Sequence, residues 1–142
     1  MRAELTVEIA RTPEEVWAYL TDVSKVPSWQ SGVHSAQVVG GGEVAAGARI
    51  EESRSLFGRD FHTTLEICDC EPPRVFGLRA LGGPVAFTVR HDLEPSSAGT
   101  RLRVVAEADT GFLPGMAAGL MARRAEKQFR KDFDRLKAVL ES

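Results

Sequence analysis

The sequence predicts an α+β fold. A curved antiparallel sheet of about seven strands packs on one long C-terminal helix, with two short helices after the first strand. Three observations predict it. Apolar and polar residues alternate with a period of two through seven separate segments. Between residues 33 and 110 these segments are joined by short turns, which suit antiparallel neighbours and leave no room for helical crossovers. From Ala118 onward the period switches to that of an α-helix and stays there.

The elements follow in order. Residues 3–10 form a half-buried strand, with Leu5, Val7 and Ile9 on one face and Glu4, Thr6 and Glu8 on the other. Thr12 can cap a helix, Pro13 suits its first turn, and Glu15 completes a capping box with Thr12. This helix carries Val16, Trp17 and Leu20 inward and ends before Pro27. Strands are expected over 33–39, 48–56, 59–70, 74–81, 85–94 and 100–109. Between them lie Gly40-Gly41-Gly42, Gly58, Pro72-Pro73, Gly82-Gly83-Pro84 and the turn from Ser96 to Gly99. One face of each long strand is apolar: Phe61, Thr63, Leu65 and Ile67; then Phe87, Val89, His91 and Leu93; then Leu102, Val104, Ala106 and Ala108. In the last segment Ala118, Ala122, Ala125, Phe129, Phe133, Leu136 and Leu140 recur three or four residues apart, as a helical stripe does. The opposite face carries Arg123, Lys127, Arg130, Lys131, Asp134 and Lys137.

Composition narrows the function. A chain of 142 residues is one domain, spanning 1–142, and can bury a core without disulfides or metals. The formal net charge of -2 argues against nucleic acid as a partner. No apolar run is long enough to span a bilayer, and the N-terminus has no signal-peptide pattern, so a cytoplasmic protein is expected. Two cysteines, Cys68 and Cys70, exclude a disulfide scaffold and a four-cysteine zinc site, and are read as reduced space-fillers. No metal or cofactor is expected. The charge is uneven: residues 1–111 hold 11 basic and 16 acidic side chains, and residues 112–142 hold 7 and 4. No GxSxG, HExxH, P-loop or GxGxxG motif is present.

Several stretches resemble a known family over nearly the whole chain. They are Pro13-Glu14-Glu15-Val16-Trp17, the VPSWQSGV run at 26–33, Gly47, Glu71-Pro72-Pro73-Arg74, Leu93-Glu94-Pro95 with Gly99-Thr100-Arg101, and the closing Leu136-Lys137-Ala138-Val139-Leu140-Glu141. Together they resemble the START-like, birch-pollen-allergen-like superfamily, in its bacterial polyketide cyclase/dehydrase and lipid-transport branch. The resemblance implies a helix-grip fold with an apolar cavity under the C-terminal helix. It also implies a small hydrophobic ligand such as a lipid or polyketide, and in some members cyclisation or aromatisation.

On that implication the cavity set from the sheet is Phe61, Thr63, Leu65, Phe76, Leu78, Phe87, Val89, Leu102 and Val104, with Trp29 near one end. Phe112, Leu113, Met116, Leu120 and Met121 would close it from the helix and its lead-in. His91 shares its face with Phe87, Val89 and Leu93. It is either a core histidine bonded to a neighbour or a pocket acid/base. Glu52 and Arg54 alternate with Ile50 and Leu56. They are either a couple leaning inward or residues at an exposed strand edge. His91, Glu52 and Arg54 are the candidate catalytic constellation. Three functions stand: a binder, carrier or sensor of a small hydrophobic molecule; a polyketide cyclase/aromatase; and a protein- or membrane-interaction module using the basic helix face. A monomer or a homodimer fits each.

Overall fold

The structure, a computed structural model, describes residues 1–56, 58–82, 85–109 and 115–142. Phe112 and Leu113, and Gly83 and Pro84 of the expected turn, lie outside these residues. The chain runs β1 (Arg2–Ile9), α1 (Pro13–Leu20), a 3-10 turn (Val23–Lys25), α2 (Val26–Trp29), β2 (Val33–Val38), β3 (Arg49–Leu56), β4 (Arg59–Glu71), β5 (Val75–Gly82), β6 (Phe87–Ser96), β7 (Gly99–Ala108) and α3 (Gly115–Glu141). The expected elements are all present, with ends shifted by one or two residues.

The capping box at α1 forms as read. The Glu15 backbone N–H donates to Thr12 Oγ1 at 3.2 Å, and the Thr12 backbone N–H donates to Glu15 Oε1 at 3.4 Å. The amphipathic pattern then buries Val16 and Leu20, while Trp17 is half-buried and meets Phe76 edge-on at 5.8 Å.

The seven strands form one antiparallel sheet in the order β1-β7-β6-β5-β4-β3-β2. Register shifts bend it. They fall between Val33 and Ser35 where β2 pairs β3, and at Thr64/Leu65 and Ile67/Asp69 where β4 pairs β5. Cys68 stands at the last of these and is exposed, while Cys70 is half-buried. Both thiols are free.

The concave face takes the odd-numbered apolar residues of β4 and β6 together with Leu102 and Val104 of β7, Phe76 of β5 and Ile50 of β3. The convex face carries cross-strand ion pairs: Arg2–Glu107 (3.2 Å), Arg103–Glu4 (2.6 Å), Arg101–Glu8 (2.8 Å) and Arg79–Glu66. Arg90 is exposed as well and pairs with Asp92 at 3.1 Å.

Helix α3 lies across the concave side. Its stripe is inward as read: Phe133 and Leu136 are buried, and Ala118, Ala122, Ala125, Phe129 and Leu140 are half-buried. Its C-terminal end is tied to β1. Lys137 Nζ donates to the Glu8 carbonyl at 2.5 Å, and Glu141 Oε2 accepts from the Ala10 backbone N–H at 2.8 Å. Among the described residues no helix is long and apolar enough to cross a membrane.

Candidate functional site

A curved sheet and a straight helix touch at some points and diverge at others, and a gap is left where they diverge. Here the gap is a cavity of about 290 Å³ between the concave face, α2 and α3. That is close to the smallest of ordinary small-molecule sites, which run to roughly 300–1,000 Å³. Most of its wall is apolar: Ile50, Phe61, Leu65, Phe76, Leu78, Phe87 and Val89 from the sheet, Leu20, Val23 and Val26 from the first helices, and Ala125, Phe129 and Phe133 from α3.

The polar part of the wall comes from β3, α2 with the residue after it, and α3. Ile50, Glu52 and Arg54 share the inward face of β3, so the alternation read weakly in the sequence resolves inward. Glu52 is only 4% exposed. Arg54 Nη2 donates to Glu52 Oε2 at 3.3 Å and to Gln30 Oε1 at 3.1 Å, and its guanidinium carbon lies 5.9 Å from the centre of the Phe87 ring. On α3, Asp132 Oδ1 accepts from Gln128 Nε2 at 2.7 Å, and from the backbone N–H and hydroxyl of Ser31, both at 3.3 Å. Burial pushes the Asp132 carboxyl above the usual carboxylate range, and these hydrogen bonds oppose that rise. Three buried polar atoms of the wall residues have no hydrogen-bond partner among the described residues: Glu52 Oε1, Arg54 Nε and Trp29 Nε1.

His91 lines the same cavity from β6 and is 3% exposed. Its ring lies 5.7 Å from both Phe76 and Phe133. Nδ1 is 2.9 Å from the Phe76 carbonyl, which can only accept, so the imidazole proton sits on Nδ1 and Nε2 keeps its lone pair. Burial among these rings pushes the pKa down to about 4, against a smaller opposing effect of the Phe76 carbonyl, so the ring is neutral at pH 7.

The expected site residues divide accordingly. Trp29, Glu52, Arg54, Phe61, Leu65, Phe76, Leu78, Phe87, Val89 and His91 come together in one wall. Thr63 is buried on β4 opposite Glu52 but is not part of that wall. Leu102 and Val104 are not part of it either; they are fully buried in the core cluster that also holds Val16 and Leu136. Met116 and Leu120 are a correction: they are 94% and 59% exposed and close nothing. At about 100° per residue, each stands roughly 160° round α3 from Ala118, so the stripe that packs inward turns them outward. Met121, between the two faces, is half-buried and outside the wall. Phe112 lies outside the described residues.

Gln30, Gln128 and Asp132 were missed. One signal was available for Asp132. Ala125, Phe129, Asp132 and Leu136 also recur at spacings of four, three and four, so a carboxylate stands on the inward stripe itself. Among the described residues no cluster of three or more His, Cys, Asp or Glu side chains is placed to hold a metal.

Comparison with known proteins agrees with this architecture. No curated protein matches the chain. A conserved protein from Geobacillus kaustophilus superposes with a TM-score of 0.77 at 20% identity, covering 99% of this chain and 95% of that one. Ara h 8.0201 superposes with a TM-score of 0.75 at 12% identity, covering 99% and 97%. The di-domain ARO/CYC BexL from the BE-7585A biosynthetic pathway gives a TM-score of 0.76 at 17% identity, covering 97% of this chain and 45% of that one. These likenesses establish the fold. The sequence model described as polyketide cyclase / dehydrase and lipid transport matches residues 1–141, and the chain belongs to that family.

Proposed function

We propose that the protein binds a small hydrophobic molecule, such as a lipid fragment or a polyketide-like aromatic, between its sheet and α3. The observation that carries this reading is the cavity of about 290 Å³, walled by aliphatic and aromatic side chains and holding a few buried polar groups. Apolar walls supply affinity, and unpartnered polar atoms supply orientation. A second reading is polyketide cyclisation or aromatisation. Its support is that His91, Glu52 and Arg54 line this one cavity, and that BexL, a di-domain ARO/CYC, shares the fold.

One experiment separates the two. The freshly purified protein is weighed by native mass spectrometry, then extracted with solvent. A stoichiometric hydrophobic adduct is the expected result and makes the protein a carrier or sensor. A bare protein that turns over a poly-β-ketone, with turnover lost in His91→Ala, would replace that reading with the second. A bare protein with neither turnover nor affinity for two-ring aromatics would remove both.

A further inference from the structure

We infer that the cavity selects neutral ligands bearing a hydroxyl or other hydrogen-bond donor, and rejects ligands bearing a carboxylate. The inference rests on the ligand-binding reading above and names the chemistry of the ligand's polar end.

The argument is a balance of charge and of donors. Among the described residues the charged groups lining the cavity are Glu52, Arg54, Asp132 and, at its exposed rim, Glu107 and the Met1 ammonium. The Met1 ammonium donates to the Ala108 carbonyl at 2.9 Å. Glu107 is already paired with Arg2 at 3.2 Å. Inside the rim that leaves two carboxyl groups against one guanidinium. No lysine and no second arginine lines the wall. The positive charge of Arg54 is already matched, since its Nη2 pairs with the Glu52 carboxylate at 3.3 Å while also serving Gln30. His91 adds no positive charge, because its ring is buried against the rings of Phe76 and Phe133, and that burial outweighs the opposing effect of the Phe76 carbonyl.

A carboxylate ligand can only accept hydrogen bonds and brings its negative charge beside these two carboxyl groups. Like charges repel more strongly the less water separates them, and such juxtaposition is how sites discriminate against wrong ligands. A hydroxyl is complementary to the same set. It donates to a carboxylate and accepts from an N–H, and the wall residues hold an unpartnered carboxylate oxygen on Glu52 and unpartnered N–H groups on Trp29 and Arg54. The rings of Phe76, Phe87, Phe129 and Phe133 suit an aromatic or otherwise flat body.

The test uses three probes of one shape on the intact protein at pH 7.5: 2-naphthol, 2-naphthoate and naphthalene, measured by calorimetric titration. The expected order is 2-naphthol tightest, at least tenfold over naphthalene and more than that over 2-naphthoate. Glu52→Gln should shrink the gap between 2-naphthol and 2-naphthoate at least fivefold. Asp132→Asn, a half-buried position less demanding for folding, should shrink it in the same direction. Equal or tighter binding of 2-naphthoate overturns the inference while leaving cavity binding intact. Equal binding of naphthalene and 2-naphthol overturns the hydrogen-bonding half. If none of the three binds, the binding reading itself fails and the inference fails with it.

Discussion

His91 shows how one buried side chain makes stability depend on pH. In an unfolded chain its imidazole titrates near 6.5, and in the fold near 4. The unfolded state therefore binds more protons between these values. The stabilisation is fully present above pH 6.5 and is lost as the pH falls toward 4. From pH 7 to pH 5 this single group removes roughly 2 kcal/mol of folding stability. Urea unfolding of the wild type and of His91→Gln at the two pH values checks this, since glutamine keeps a donor for the Phe76 carbonyl and cannot titrate. The variant should lose markedly less stability than the wild type over that interval. Equal losses would mean that His91 is not the group that titrates.

At the scale of elements, the β6–β7 turn is docked where β1 passes into α1. Gly99 has φ +136°, and a Cβ there would stand 2.7 Å from the carbonyl oxygens of both Ile9 and Arg11. The next residue completes the joint, because Thr100 Oγ1 donates to the Arg11 carbonyl at 2.7 Å. Backbone cannot swing aside as a side chain can, so Gly99→Ala should cost about 2–3 kcal/mol. Gly41 also has a positive φ, +69°, but nothing lies within 4 Å of its Cβ position, so Gly41→Ala should cost about 1 kcal/mol. Chemical denaturation of both variants decides it, and equal losses would show that the close approach at Gly99 is unimportant. Elements of this kind were legible in advance where local physics governs them. The capping box, the alternation in β4, β6 and β7, and the stripe through Phe129, Phe133 and Leu136 each follow from one segment's own period. The polar end of the cavity was legible only in part. Glu52 and Arg54 showed as an alternation too weak to choose a face. Gln30, Gln128 and Asp132 line one cavity because the residue after α2 and the middle of α3 are brought over β3 by the fold; the inward stripe of α3 marks the face Asp132 stands on, but no local period says what it faces. Met116 and Leu120 went astray for the opposite reason: apolar type was given more weight than helical phase.

Over the whole molecule, charge is sorted by surface. On the convex sheet face the arginines of β1 and β7 each meet a carboxylate across the strands. On the outer face of α3, Arg123, Arg124, Lys127, Arg130 and Lys131 stand exposed, and none forms an ion pair among the described residues. Their rows run on from the exposed Met116 and Leu120. The sequence pI near 5.9 hides this arrangement. At pH 7 in low salt the protein should be retained on a cation exchanger although its net charge is -2, and elute as salt screens the contact. Passage straight through the column would show that the face is too weak to act alone. Lys127→Glu with Arg123→Glu should abolish the retention. Residues 1–111, with 11 basic against 16 acidic side chains, and residues 112–142, with 7 against 4, thus carry net charge of opposite sign. Such a molecule turns before it touches anything charged: it approaches a negative surface helix first and a positive one sheet first. The orientation on arrival, and with it the wall of the cavity nearest the surface, is set by the outer face of α3.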